Sequence, residues 1–174
     1  LFYTGNLKEP TADGKKIKMK RILFILILLC GWGISLSAQE VYQEIMRLSK
    51  KVAEDKSKDL ETRKVATFKV DELKYMAMKT RELMPDSTVR VLDVQAYAMY
   101  DFVNLFLRRL GEAKKKSAKE AVIARFRAAS INNSRFNDMD YDLVLSYYDN
   151  SNYLTRFSLD TDWVKALAEI RSQR

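Results

Sequence analysis

Residues 89–110 read VRVLDVQAYAMYDFVNLFLRRL, and this stretch decides the fold class. Its apolar residues recur at alternating spacings of three and four, which is the period of one face of an α-helix. That face consists of Val89, Leu92, Ala96, Met99, Val103, Phe106 and Leu110. A second apolar stripe lies beside it and consists of Val91, Ala98, Phe102 and Leu105. Because the combined apolar surface is wide, we predict a long helix near 87–110 that is the central, most buried element.

The chain around this helix is poor in residues that break helices. Between residues 39 and 174 there is one glycine, Gly111, and one proline, Pro85. β-Proteins need many turns and therefore many such residues. Ala, Leu, Met, Lys, Glu and Arg dominate instead, and all of them favour helices. The sequence predicts an all-α fold, a compact bundle of five or six helices whose axes cross at about 20°.

Two helices are predicted before the central one. Apolar spacings indicate a first helix over about 40–56 and a second over about 60–84. The inward face of the first consists of Val41, Ile45, Leu48 and Val52. Asp59 is the expected N-cap of the second helix, because its carboxylate can accept a bond from a free backbone N–H. Pro85 ends that helix, since its ring excludes a continued helix.

Three helices are predicted after the central one. Gly111, near the end of the central helix, is expected to adopt the left-handed conformation common at helix C-termini. Ser117 and Glu120 have the spacing of a capping box and predict the start of a fourth helix. Asn137 is the expected cap of a fifth helix, and Asp160 is the expected cap of a last one.

The N-terminal part has the layout of a secretory signal peptide. Residues 19–38 combine a short basic start, an apolar run of nine residues and a small-residue exit. We predict cleavage after Ala38, so that the mature chain begins at Gln39; cleavage after Ser37 is an alternative. Lipid attachment at Cys30 and an uncleaved membrane anchor are two further alternatives. We therefore expect an exported protein, periplasmic or extracellular, without a stable membrane span after cleavage.

The predicted domain organisation is a leader over 1–18, the signal peptide and a single helical domain over 39–174. The leader is polar, lacks periodicity and precedes Met19, so we expect it to reflect a start codon placed too far upstream. The first 38 residues hold six of the 31 basic and two of the 23 acidic residues, which leaves 25 and 21. The net charge of the mature chain is therefore +4 rather than +8, and nucleic-acid binding loses its main support.

Histidine and cysteine usage excludes several classes of site. The chain has no histidine, which excludes a Ser-His-Asp triad, a Cys-His pair and an imidazole metal site. Its one cysteine, Cys30, leaves with the signal peptide and cannot form a structural zinc cluster. We accordingly predict no catalytic residue, no metal and no cofactor.

A run of positive charge follows the central helix. The candidate basic patch consists of Arg108, Arg109, Lys114, Lys115, Lys116 and Lys119. Such a patch can bind anionic lipid head groups or an acidic partner. The alternative is a solvated turn between two helices, supported by the pair Glu112–Lys116 at four-residue spacing.

Aromatic side chains are concentrated near the C-terminus. The candidate contact residues are Tyr147, Tyr148, Tyr153 and Trp163. Aromatic faces beside Asn and Asp are typical of sugar-binding surfaces, and tyrosines are frequent at protein interfaces. The alternative is that these side chains pack the C-terminal helices onto the central helix.

Three acids, Asp138, Asp140 and Asp142, resemble the start of a calcium loop, in which acids occupy positions 1, 3 and 5. Leu143 stands where the sharp turn of that loop needs glycine. The alternative is that the acids crowd a helix N-terminus, where the helix dipole favours them. A further acid, Asp101, lies off both apolar stripes of the central helix and is expected to be exposed.

These features together predict an exported, all-helical, non-catalytic protein that binds another macromolecule, most simply another protein of the cell envelope. The support is the lack of any catalytic, phosphate-binding or metal-binding pattern. Two other functions stay open. One is a glycan-binding module that uses the C-terminal aromatics, and the other is a hydrolase that uses a pair of carboxylates.

Overall fold

The computed structural model describes residues 40–87, 89–149, 153 and 155–173. In these residues the fold is all-helical, with six helices and no strand, which confirms the predicted bundle. The helices are α1 (Glu40–Glu54), α2 (Leu60–Leu83), α3 (Val89–Glu112), α4 (Lys116–Asn132), α5 (Tyr141–Asp149) and α6 (Trp163–Ser172). No helix of the described segments is long and apolar enough to cross a membrane. The predicted leader over 1–18, the signal peptide over 19–38 and the cleavage residues Ala38 and Gln39 lie outside these residues.

The predicted central position of α3 is confirmed, but the prediction that it is the most buried helix is not, because α2 holds at least as many buried side chains. α3 packs against α1, α2, α4 and α6. Its most buried side chains, each at most 1% exposed, are Ala96, Met99, Phe102, Val103 and Phe106. The ring centroid of Phe102 lies 5.0 Å from Phe126, 5.2 Å from Phe157 and 5.3 Å from Trp163, in edge-to-face arrangements. Each such pair adds about 0.5–1.5 kcal/mol beyond its buried area, so this cluster ties α4 and the C-terminal segment to α3.

The ends of α2 agree with the sequence. Asp59 is the N-cap, and its Oδ1 accepts a 2.8 Å hydrogen bond from the backbone N–H of Thr62. The helix ends at Leu83, two residues before Pro85. In α1, by contrast, Leu48 is 44% exposed although its spacing placed it on the inward face. Leu48 lines a groove, described below, that explains this exposure.

The predictions for Gly111 and Ser117 are wrong. Gly111 lies inside the last turn of α3, and no glycine of the described residues has a positive φ. α3 continues to Glu112, so its end does not need a left-handed residue at Gly111. The next helix then begins at Lys116 with Lys115 as its N-cap, without a side-chain capping bond. Ser117 is therefore already within the first turn of α4.

The predicted caps Asn137 and Asp160 are also wrong. Asn137 lies in the loop before α5 with a φ of 52°, a left-handed conformation that asparagine tolerates. The backbone N–H of Leu143 instead bonds to the side chain of Asp140, directly before α5. The N-cap of α6 is Asp162, whose side chain accepts from the backbone of Lys165. The side chain of Asp160 instead accepts hydrogen bonds from the backbone of Phe136 and Asp138 in the loop before α5.

Candidate functional site

A groove of about 490 Å³ lies between α1, the first half of α2 and α3. Its walls are mostly apolar. The residues that line it are Leu48, Ser49, Lys51, Val52, Asp59, Glu61, Thr62, Val65, Ala66, Lys69, Tyr100 and Leu107. Its volume is within the range of about 300–1,000 Å³ that is usual for ligand pockets. We call this feature the α1–α2–α3 groove.

Lys69 places a buried positive charge beside these apolar walls. Its side chain is on the α2 face that packs toward α3, and the residue is only 9% exposed. The ammonium Nζ donates a 3.3 Å hydrogen bond to Oδ1 of Asn104 and lies 4.4 Å from the centre of the Tyr100 ring. Burial lowers the pKa of Lys69 to about 8, so the side chain is still mainly protonated at neutral pH.

The partners of this ammonium are neutral, which is unusual for a buried cation. No carboxylate of the described residues lies within 4.0 Å of Lys69 Nζ. Glu72, three residues further along α2, accepts a bond from the indole of Trp163 instead. Asp59 also lines the groove, but its two oxygens accept from the backbone and the hydroxyl of Thr62. Glu61, the other acid that lines the groove, lies about two helical turns from Lys69 on α2 and forms no ion pair with it. The ammonium of Lys69 is therefore open to an anionic group that enters the groove.

Sequence reasoning missed Lys69, although a signal was present. Lys69 stands three residues after Ala66 and four before Leu73, on the apolar face of α2. A lysine at such a position either extends its ammonium to the surface or is buried with it. Only the packing of Tyr100 and Asn104 from α3 distinguishes the two outcomes, and that packing is not visible in the sequence of α2.

Of the four predicted aromatic contact residues, Trp163 lies in the core and not on the surface. It is 0% exposed and packs in the core against Phe68, Phe102 and Phe157. This burial favours the packing alternative for Trp163 over a role in a glycan or partner surface. The size of the indole makes it a central core residue, as the packing alternative expected.

The three tyrosines are half-buried. The rings of Tyr147 and Tyr153 lie 4.7 Å apart, and the Tyr153 hydroxyl donates to Oδ2 of Asp71 at 3.1 Å. Burial raises the pKa of both hydroxyls. Tyr148 lies elsewhere, with its ring 4.1 Å from the guanidinium of Arg127. The structure thus joins Tyr147 to Tyr153 but not to Tyr148, and a contact of these residues with a partner or a glycan stays a prediction.

The predicted basic patch is at the α3–α4 connection. Its exposed members are Arg108, Lys114, Lys115, Lys116 and Lys119. Arg109 is half-buried, donates a 3.5 Å bond to the carbonyl of Ile170 and lies 5.7 Å from the Phe126 ring. The expected pair of Lys116 with Glu112 is wrong, since Lys116 lies 3.9 Å from Glu120 instead.

The resemblance of the 138–142 acids to a calcium loop is not supported by their geometry. Asp138 accepts a 2.7 Å bond from the Tyr75 hydroxyl and lies 3.0 Å from the ammonium of Lys79. Asp140 bonds to the first turn of α5, and Asp142 lies within that helix. Among the described residues no group of three or more potential ligands is placed to hold a metal ion.

No protein-family model, no curated protein and no solved structure matches the chain. Function must therefore be inferred from the side chains of this protein. Of the cavities bounded by described residues, the α1–α2–α3 groove combines apolar walls with a buried cation that has only neutral partners. It is the candidate functional site.

Proposed function

We propose that this is a non-catalytic binding protein that receives an amphipathic segment of a partner protein in the α1–α2–α3 groove. The observation that carries the proposal is Lys69, a cation 9% exposed beside apolar walls and held by the neutral groups of Asn104 and Tyr100. A buried charge is costly until an opposite charge neutralises it. A ligand carboxylate would both neutralise the ammonium and position the ligand.

The chemistry of the groove restricts the partner segment. Its apolar walls, among them Leu48 and Leu107, call for apolar side chains. The ammonium of Lys69 requires an Asp or Glu of the partner within one helical turn of those apolar side chains. Amphipathic helices that place an apolar face in a groove are a common mode of recognition. A charge-assisted bond to Lys69 would contribute roughly 1.5–3 kcal/mol, which is enough to select an acidic segment over a neutral one.

We further propose that the protein is exported and that its partner belongs to the cell envelope. The support is the sequence pattern of residues 19–38, with its basic start, apolar run and small-residue exit. N-terminal sequencing of the protein isolated from its own cells tests this proposal. We expect a chain that begins at Gln39 or Ala38. A chain that still carries residues 19–38 would contradict cleavage.

Site-specific photo-crosslinking in cells tests the groove. A photo-reactive amino acid replaces Leu48, which lines the groove and is 44% exposed. A second chain carries it instead of Met139, which is 69% exposed and does not line the groove. Each chain is compared with and without Lys69→Met, which removes the charge but keeps an apolar side chain of similar length. Lys50→Met, on the exposed surface of α1, is the matched charge control.

We expect position 48 to capture a protein whose crosslinked peptide carries a carboxylate beside apolar side chains. Lys69→Met should reduce that capture by about tenfold or more, while Lys50→Met leaves it unchanged. Position 139 should not capture the same peptide. Capture that is insensitive to Lys69→Met would overturn the proposal, and so would a crosslink to lipid in place of protein.

A further inference from the structure

A second cavity, of about 380 Å³, lies at the C-terminal end of α3 where it meets α6. It is lined by Asp101, Asn104, Leu105, Arg108, Arg109 and Arg171. Three guanidinium groups from two helices thus share the cavity with one carboxylate. We call Arg108, Arg109 and Arg171 the arginine cluster. The sequence predicted two of its members as part of a basic patch, but not Arg171, which lies 63 residues from Arg108 in the chain.

The structure holds two of these arginines in place. A guanidinium nitrogen of Arg171 lies 2.6 Å from Oδ2 of Asp101. Asp101 is one or two helical turns before the other cavity residues of α3. Arg109 is fixed between the carbonyl of Ile170 and the ring of Phe126. Arg108 is exposed and forms no ion pair with any described residue. With one carboxylate against three guanidiniums, the cavity carries a net charge of +2.

We infer that the arginine cluster binds a phosphate group. Guanidinium forks match the oxygens of phosphate in pairs, and arginine is more weakly hydrated than lysine. A phosphate monoester carries nearly two negative charges at neutral pH, which balances the net charge of the cavity. Arg109 is half-buried against Ile170 and Phe126, so it loses little side-chain entropy when an anion arrives, whereas Arg171 has to share its guanidinium between Asp101 and the anion.

Two sources supply this chemistry, the head group of an anionic phospholipid and a soluble phosphate ester. The exposed lysines of the α3–α4 connection follow this end of α3 in the chain and add further positive charge there. This positive charge attracts both an anionic membrane and a small anion, over a distance of about one Debye length. The inference does not rest on the proposed function, because its charged groups are on α3 and α6, although Asn104 lines this cavity and also accepts the hydrogen bond from Lys69.

The test uses the full chain and four single variants. Arg108→Gln removes the unpaired guanidinium, and Lys50→Gln makes the same charge change on α1. Asp101→Asn removes the carboxylate that competes for Arg171, and Glu112→Gln makes the same charge change at the exposed end of α3. Binding of inorganic phosphate is measured by calorimetry at constant ionic strength. Cosedimentation compares phosphatidylcholine vesicles with vesicles that also contain phosphatidic acid. Binding to lipid through the apolar run within residues 19–38 is common to both and is therefore subtracted.

We expect inorganic phosphate to bind, Arg108→Gln to weaken it by about tenfold or more and Asp101→Asn to strengthen it several-fold. Lys50→Gln and Glu112→Gln should leave it unchanged. An Arg108-dependent preference for phosphatidic acid vesicles assigns the site to a lipid head group. Arg108-dependent binding of phosphate alone, without that preference, assigns it to a soluble ester. The inference is overturned if neither probe binds, or if Arg108→Gln and Lys50→Gln have equal effects.

Discussion

Trp163 and Glu72, 91 residues apart in the chain, are joined in the interior by a 2.8 Å hydrogen bond from the indole Nε1 to Oε1 of the carboxylate. Both residues are 0% exposed. The other oxygen of Glu72, Oε2, has no hydrogen-bond partner among the described residues. Burial raises the pKa of Glu72 well above its usual value, although the bond from Trp163 acts in the opposite direction. The bundle therefore contains one carboxyl group whose charged form is disfavoured.

Trp163→Phe should destabilise the protein by about 3 kcal/mol, since it leaves a cavity and removes the one partner of the buried carboxyl group. Urea unfolding followed by circular dichroism measures the change. Adding Glu72→Leu to this variant should recover part of the loss, because the unsatisfied polar group is then gone. A loss from Trp163→Phe below about 0.5 kcal/mol would show that the bond contributes little.

Glu72→Gln should make the protein more stable at neutral pH than the wild type. Because the folded-state pKa of Glu72 is raised, the contribution of this group to stability is fully present below its usual pKa of 4.5 and is lost as the pH rises through the folded-state value. Glutamine keeps an acceptor for Trp163 and does not ionise. The difference in unfolding free energy between variant and wild type should therefore grow as the pH rises above the usual pKa of 4.5. A difference independent of pH would contradict the raised pKa.

Lys69→Met should also stabilise the protein at neutral pH, with the opposite dependence on pH. Burial lowers the pKa of Lys69 from 10.5 to about 8, so the cost of the buried charge is fully present below about pH 8. This cost disappears as the pH rises from about 8 to 10.5. We expect a gain of roughly 1–3 kcal/mol at neutral pH that shrinks over that interval. Lys50→Met, which removes an exposed charge, should change stability by less than about 0.5 kcal/mol at either pH.

These two variants also separate stability from binding at the groove. A buried charge that weakens the fold is retained in proteins when it serves a function. If Lys69→Met both stabilises the bundle and abolishes capture of the partner, Lys69 acts in recognition and not in folding. If Lys69→Met destabilises the protein, the contacts of Lys69 with Asn104 and Tyr100 are structural, and the role proposed for the groove is weakened.

The sequence predicted the helices because their signals are local. The apolar stripe of α3, the cap at Asp59 and the stop at Pro85 each depend on neighbours within a few residues. Ser117 and Asp160 have equally good local signals, but their predicted roles were wrong. After the short connection from α3 the helix begins two residues earlier than a cap at Ser117 implies, and at Asp160 distant backbone groups compete for the carboxylate.

The candidate sites were predicted less well, since each depends on contacts between helices. Lys69 becomes a buried cation only when α3 supplies Asn104 and Tyr100. Arg171 joins Arg108 only because α6 packs beside α3. Tryptophan is a residue type that is frequent at contact surfaces, but Trp163 lies in the core because an aromatic cluster surrounds it. The spacing of residues along one helix contains no information about these contacts between helices.

Asp160 is the clearest case of a contact between segments that are distant in the chain. Its Oδ1 accepts from the backbone N–H of Phe136 at 2.7 Å, and its Oδ2 accepts from the backbone N–H of Asp138 at 3.0 Å and from the hydroxyl of Ser134. The residue is 5% exposed, so these bonds organise the loop that contains Asn137 in its left-handed conformation. An asparagine can accept on one side only, and its amide would face donors on the other.

Asp160→Asn should therefore cost about 2–4 kcal/mol of unfolding free energy. Asp140→Asn is the matched control. It changes an exposed carboxylate with a bond to Leu143, and because asparagine caps helices about as well as aspartate, the loss should stay below about 0.5 kcal/mol. Hydrogen exchange provides the second measurement: the amides of Phe136 and Asp138 should lose protection in Asp160→Asn and keep it in Asp140→Asn. Equal effects of the two variants would mean that Asp160 does not organise the loop.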